Sequence, residues 1–316
     1  MNPVPAKMKG MFRGAIAVAF AGAIATAGGI LARRYRHEMS AARARLSAVA
    51  RKSVRTAFGD IEYAERGTGE PLLISHGIFQ SCQSALLFSE LLFPGRRIIA
   101  PSRFGYLGSS LPPTATPAEQ ADAFAALLDA LEIVKLDVVG ISAGTTSVLQ
   151  LALRHHQRVK HLVVLSGNLP GSPTAVVQPW WSRVLNRQLP VWAIKVLSPS
   201  TMAFLAGVPK RLVMTTDDAR FVTAFIDSLF PVTPNVRGVD FDAFVSNADV
   251  NGYSLEDIRV PTLLIHSKDD PLVRYEAAER AAGRIPGARL VTLESGGHLM
   301  VGQTSTVRNE LESFLG

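Results

Sequence analysis

Residues 136 to 152 read Leu136-Asp-Val-Val-Gly140-Ile-Ser142-Ala-Gly144-Thr-Thr-Ser-Val148-Leu-Gln-Leu-Ala152. Leu136 to Ile141 is a short, mostly apolar run of the kind that forms a buried strand, and Val148, Leu149, Leu151 and Ala152 follow at spacings that suit a helix. Between them stands Gly-x-Ser-x-Gly. In that context the two glycines permit a tight, strained turn that projects the serine hydroxyl at a helix N-terminus. The helix dipole there favours negative charge, so Ser142 is a candidate nucleophile. Gly and Ser are common in ordinary turns, and it is the strand before and the helix after that give the pentapeptide its meaning.

Working outward, similar apolar runs occur at Leu72 to Ser75, Ile98 to Ala100, Leu162 to Leu165, Leu263 to Ile265 and Leu290 to Leu293, each bounded by Gly, Pro or polar residues. These predict buried strands of a parallel sheet. Val54 to Phe58 and Ile61 to Ala64, joined by a Gly59-Asp60 turn, predict a hairpin ahead of them. Helical patterns lie between the runs. The clearest is Pro117 to Leu131, with Thr116 as N-cap, Pro117 in the first helical position and Glu119 placed to close a capping box. This alternation predicts an α/β fold, a mostly parallel sheet with helices on both faces. It breaks between Asn168 and Val260, a Pro-punctuated helical stretch that holds all three tryptophans, Trp180, Trp181 and Trp192. So long a structureless loop would be unusual in a compact domain, and the stretch reads as an inserted helical cap over 169–256, roofing a core made of 53–168 and 257–316.

A serine nucleophile needs a base, and the base an orienting acid. Among seven histidines, His298 stands out in Glu294-Ser-Gly-Gly-His298-Leu, directly after the last predicted strand. His155, His156 and His161 flank the end of the helix after Ser142, suit solvated or helix-terminal roles, and lack a credible metal ligand set. The acid falls in Lys268-Asp269-Asp270-Pro271, after the strand Leu263 to Ile265. An oxyanion hole is predicted from the Ile78 amide, in the loop Ser75-His76-Gly77-Ile78-Phe79, together with the Ala143 amide. His76 reads as a structural hydrogen-bonding residue. No metal site, P-loop or dinucleotide fingerprint is seen, so no cofactor is expected.

Taken together, His76-Gly77, Arg103-Phe-Gly105-Tyr-Leu-Gly108-Ser-Ser, Gly140-Ile-Ser142-Ala-Gly144, Lys268-Asp-Asp270-Pro-Leu-Val and Gly296-Gly-His298-Leu resemble the α/β-hydrolase superfamily over about residues 53 to 316. The arrangement is similar to that of cap-bearing esterases, with the cap after the sixth strand. The resemblance implies Asp270, the residue before Pro-Leu-Val, as the acid, with Asp269 a solvated neighbour. The triad Ser142, Asp270, His298 then has the chain order of that superfamily. Where many relatives have Asp before the Arg of the turn motif, this chain has Ser102. Serine in place of Asp at residue 142 argues against the dehalogenases and epoxide hydrolases among the look-alikes.

These readings lead to a serine hydrolase of carboxylic esters working through an acyl-enzyme, its partner a small ester substrate. A C–C bond hydrolase or cofactor-free peroxidase on the same triad is the alternative, and a non-catalytic, membrane-tethered ligand-binding protein is a second.

Charge divides the chain unevenly. Overall it is +7, with 33 Lys and Arg against 26 Asp and Glu. Residues 1 to 59 hold eleven of the cations and one acid, Glu38, while the remainder is net −3. A body of that charge disfavours nucleic acid as a partner. The arm, residues 1–52, surrounds an uncharged run, Gly14 to Leu31, with Lys7, Lys9 and Arg13 before it and Arg33, Arg34 and Arg36 after. That run predicts membrane association through residues 14–31 and the flanking cations, as a single N-terminal anchor or an interfacial helix. The positive-inside rule favours a cytoplasmic body. Cleavage after the small-residue site Ala25-Thr26-Ala27, giving a secreted protein, is the competing reading. The single cysteine, Cys82, rules out an intramolecular disulfide and reads as a small buried residue.

Overall fold

The computed structural model describes the backbone from Ala6 and the side chains from Thr26 to Gly316. The described chain divides into two compact units, one ending at Arg45 and the other Leu46–Gly316. The first is helical: α1, Ala6–Ser47, runs through it and ends two residues past its boundary. Its described surface carries an Arg34–Glu38 ion pair of 2.8 Å at helical i,i+4 spacing. Most of the stretch expected to meet a membrane, 14–25, lies outside the described side chains. Among the described residues no helix is long and apolar enough to cross a membrane.

The second unit is built on eight strands: β1 Arg51–Thr56, β2 Gly59–Arg66, β3 Pro71–Ser75, β4 Arg97–Pro101, β5 Leu136–Ile141, β6 Val159–Leu165, β7 Thr262–Ser267 and β8 Arg289–Leu293. They form one sheet in the order β1-β2-β4-β3-β5-β6-β7-β8. The pairs β1/β2 and β2/β4 are antiparallel, and every pair beyond them is parallel. Every residue of β5 and of β7 is buried, as strands covered on both faces require. At the open edge, β1 has only exposed and half-buried residues, and its cations blunt further pairing.

Helices α2 Cys82–Leu92, α3 Pro117–Ala130 and α4 Thr145–Arg154 follow β3, β4 and β5. Helix α3 starts as its sequence predicts: Thr116 Oγ1 accepts from the Glu119 amide at 3.1 Å, and Glu119 Oε2 accepts from the Thr116 amide at 3.1 Å. Between β6 and β7 the chain makes a helical excursion, with α5 Ser182–Leu185, α6 Gln188–Leu197, α7 Pro199–Leu205, α8 Thr216–Ser228, α9 Val236–Phe241 and α10 Asn247–Asp249. One π-helical turn, Asp242–Ser246, separates the last two. Helices α11 Tyr275–Arg284 and α12 Thr304–Leu315 complete the fold, α12 packing on α2 and α3 on α4.

Two expectations need correction. The hairpin turns at Ala57-Phe58, because Gly59, at φ 99°, already pairs with Thr56. The sheet also begins at Arg51, two residues inside the stretch read as the arm. Three of the cations counted in residues 1 to 59 are strand residues answered by acids of β2: Arg51 by Glu62 at 3.6 Å, Lys52 by Glu65 at 2.8 Å and Arg55 by Asp60 at 3.0 Å. A cut at Gly59 therefore separates cations from their partners and overstates the contrast between arm and body.

Candidate active site

Ser142 sits on the turn between β5 and α4 with φ 52°, a left-handed conformation costly for a residue with a Cβ. The flanking glycines explain how it is held. A Cβ on Gly140 would lie 2.4 Å from Val148 Cγ2 and 2.8 Å from Thr145 Cα; one on Gly144 would lie 2.1 Å from the Ser75 carbonyl oxygen. Helix α4 thus leans onto β5 and the turn onto the end of β3, with no room for a side chain at either place. The Ser142 carbonyl accepts a hydrogen bond from the Asn168 amide at 3.0 Å, tying the turn to the loop after β6.

The loop after β3 reaches the same point. A Cβ on Gly77 would lie 3.0 Å from Ser142 Cβ, and the Gly77 amide donates to Gln80 Oε1 at 3.1 Å. This brings the backbone leading to Ile78 against the serine. Ala143 is the first residue after Ser142 in the short 3₁₀ turn that starts the helix, where amides lack intrahelical acceptors. His76 is fully buried, its Nδ1 2.9 Å from the Gly77 carbonyl oxygen, and its Nε2 accepts from the Arg103 amide at 3.1 Å. Those bonds fix the neutral ring with the proton on Nδ1. Burial, with the Arg103 charge adding to it, holds its pKa well below the ordinary histidine value. It is a buttress for the loop.

His298 Nδ1 and Asp270 Oδ2 are 2.7 Å apart, and both residues are buried. Asp270 Oδ1 accepts from the amides of Leu272 at 2.8 Å and Val273 at 3.0 Å. His266 Nε2 lies 3.3 Å from Asp270 Oδ2 and 2.9 Å from the Val273 carbonyl oxygen. Burial alone would raise the Asp270 pKa; His298 and His266 outweigh it and hold the carboxyl well below the usual carboxylate range. An ionised Asp270 makes Nδ1 of His298 the donor, leaving Nε2 as the nitrogen that can take a proton.

The His298 loop depends on residues to which the sequence reading gave no role in the site. Asp269, expected to be a solvated neighbour, instead accepts from the Gly297 amide at 2.8 Å and the Gly296 amide at 3.3 Å. From the helical excursion, the Gly207 carbonyl accepts from the His298 amide at 2.8 Å, and a Cβ on Gly207 would lie 2.2 Å from His298 Cβ. Adjacent acids at 269 and 270 were a visible signal. Gly207 and His266 gave none.

Behind the loop after β3, Arg103 forms a two-pronged ion pair with Asp242, through Nη1 to Oδ1 at 2.6 Å and through Nη2 to Oδ2. The Tyr106 hydroxyl donates to the same carboxylate at 2.5 Å. All three side chains are buried. Next to this pair the π-helical turn meets the serine helix, where the hydroxyls of Ser246 and Thr146 are 2.7 Å apart. The excursion is thereby tied to the core beside Ser142. Ser102, the departure in the turn motif, is buried and holds Glu62 at 3.4 Å.

A cavity of about 280 Å³ opens beside the loop after β3, lined by Phe79, Leu185, Asn186, Val191, Ile194, Met202, Leu205 and Leu229. All but Asn186 are apolar. His155 pairs with Asp122 and His161 with Asp137, at 2.7 and 2.8 Å. Among the described residues no cluster of His, Cys, Asp and Glu could hold a metal. Cys82 is buried in α2, and burial pushes its thiol up to about 11.

A strained serine between strand and helix, with a buried aspartate–histidine pair at the carboxyl end of a mostly parallel sheet, places the molecule among α/β proteins of hydrolase architecture. The alpha/beta hydrolase fold family matches residues 70–303, and the chain belongs to it. Among curated proteins it is 28% identical over 265 residues to the uncharacterized hydrolase YcgS of Bacillus subtilis, covering 77% of this chain and 89% of that one. It is 30% identical over 222 residues to the putative carbamate hydrolase RutD of Caulobacter vibrioides, covering 65% and 74%. Among solved structures it is similar to an alpha/beta hydrolase fold protein from Nakamurella multipartita, with a TM-score of 0.68 and 26% identity, covering 84% of this chain and 99% of that one.

Proposed function

We propose that this hydrolase cleaves carboxylic esters with small to medium apolar acyl or alcohol groups. The observation that carries the reading is the 2.7 Å contact between buried Asp270 and His298, on loops at the same edge of the sheet as strained Ser142. In this mechanism His298 Nε2 takes the Ser142 proton as the hydroxyl attacks the carbonyl, and Asp270 stabilises the imidazolium. The Ile78 and Ala143 amides receive the oxyanion. His298 returns the proton to the leaving alcohol, and water, activated in the same way, releases the acid from Ser142. The helices between β6 and β7 act as the cap, and the apolar cavity beside Phe79 takes the hydrocarbon part of the substrate. RutD's description as a putative carbamate hydrolase adds carbamates to the carbonyl compounds to be tried, since the same acyl transfer would serve.

Replacing Ser142 by Ala in the full chain should lower kcat/KM for p-nitrophenyl butyrate by about 10³-fold or more. Full retained activity would remove Ser142 from the mechanism. We also propose that the basic arm rests on an anionic membrane surface, supported by eight cations against one acid in residues 1–47. Deleting residues 1–45 should then shift the protein from the membrane fraction to the soluble one.

A further inference from the structure

Of the fifteen large apolar side chains exposed among the described residues, eleven fall between Val176 and Met214. They are concentrated on the first half of the excursion. The turn around α5 turns its one buried residue, Ser182, inward and leaves Trp180, Trp181, Val184 and Leu185 outside, with Trp180 77% and Trp181 51% exposed. Leu185 and Leu205, both exposed, also line the 280 Å³ cavity, so the apolar surface and the mouth of the cavity are continuous. Soluble surfaces seldom keep so much contiguous apolar side chain uncovered without a partner.

Charge says which partner. No Asp or Glu occurs anywhere between Asp137 and Asp217. Arg187 and Lys195 are neutralised from elsewhere, by Asp240 at 3.0 Å and Asp227 at 2.7 Å. Arg183, Lys210 and Arg211 are exposed and form no ion pair among the described residues. The Arg183 guanidinium lies 4.4 Å from the Phe244 ring centroid, and the Lys210 ammonium 5.0 Å from that of Phe204, so these cations border the apolar patch. Exposed tryptophans and leucines framed by unpaired cations, where the acids that reach the stretch, Asp240 and Asp227, are already taken up by Arg187 and Lys195, match the chemistry of an interfacial surface, where rings sit at the headgroup boundary and cations meet lipid phosphate. A second copy of the chain would bring three more unpaired cations to the same face.

We propose that this face docks on an anionic lipid bilayer, with Trp180 and Trp181 at the headgroup boundary and the cavity mouth turned to the membrane. Docking of this face needs neither the N-terminal arm nor the proposed role of Ser142. It can be separated from the arm because all three tryptophans of the chain lie in this region and none in the arm.

The test uses the full chain with vesicles of phosphatidylcholine and phosphatidylglycerol, and with the same vesicles carrying acyl-chain-brominated phosphatidylcholine. Docking predicts that tryptophan emission moves to the blue on the anionic vesicles and is quenched by the bromines. In W180F/W181F, which retains only buried Trp192, both effects should vanish. R183E/K210E/R211E should require about tenfold more lipid or beyond for the half-maximal shift. Vesicles that capture the chain while its emission and bromine quenching stay unchanged would show that the arm alone binds, and would overturn the proposal. A blue shift that needs no lipid and grows with protein concentration would assign the face to a second copy, and would overturn it equally.

Discussion

Phe79, Leu107, Ser142, Ser166 and Met300 all have positive φ, and they occupy the loops after β3, β4, β5, β6 and β8; the helices between β6 and β7 contain no such non-glycine residue. Each of these conformations costs on the order of 1 to 3 kcal/mol and survives only where surrounding packing dictates it. The rim of the sheet therefore carries strain that tight packing sustains, as the close approaches at Gly77, Gly140 and Gly144 show. The inserted helices carry a different burden, which is apolar surface left in water. One region fixes atoms in place and the other presents a surface and a cavity. In the proposed function the first governs the chemical step and the second governs access.

The largest effect should come from the rim. Asp270→Asn removes the charge that orients His298, and kcat should fall by about 10⁴-fold with the fold intact, read by ester hydrolysis and circular dichroism. The same variant bears on stability. Because the folded pKa of Asp270 is depressed, its contribution is present above the unfolded value of about 3.9 and is lost as pH falls toward the folded value. Thermal melts should show the wild-type protein losing stability between about pH 5 and pH 2 more steeply than Asp270→Asn. Equal slopes would mean that Asp270 is not held ionised by its histidines.

Next comes the joint between the two regions. Asp242→Ala leaves Arg103 charged and unpartnered in a buried site, and should cost about 3 to 5 kcal/mol in denaturant unfolding. Replacing both residues by apolar ones, as in R103M/D242L, should recover most of that loss. If Asp242→Ala costs little, the excursion is not secured there.

A smaller effect should follow from Gly207→Ala, which adds a methyl 2.2 Å from His298 Cβ at a backbone φ of 94°. The nearer consequence is a displaced imidazole, and kcat should drop by about 10²-fold while KM moves little. A change in KM alone would mean that Gly207 shapes the cavity and does not position the histidine.

Much of the rim was legible in the sequence because its signals are local. Gly140 and Gly144 bracket Ser142 within five residues, and the apolar runs of β5 and β7 report burial on both faces without further context. The joint was not legible, since Arg103 and Asp242 are far apart in sequence and nothing near Asp242 marks it as the partner of a buried arginine. His266 was likewise hidden: its contact with Asp270 depends on the turn through Val273, which apolar periodicity does not describe. The tryptophans show the same limit. A helical stretch between β6 and β7 was readable from prolines and helical pattern, but burial of Trp192 and exposure of Trp180 and Trp181 are set by how short helices pack. The charge contrast across Gly59 was overstated because the hairpin pairs Arg51, Lys52 and Arg55 with acids just beyond that cut.

The central claim is that Ser142 is a nucleophile activated by His298. Its most direct test is treatment of the full chain with a fluorophosphonate, followed by peptide mapping by mass spectrometry. The account predicts one adduct, on the peptide containing Ser142, absent in Ser142→Ala and formed far more slowly in His298→Ala. Labelling on another residue, or none on folded wild-type protein that still hydrolyses the ester, would contradict it.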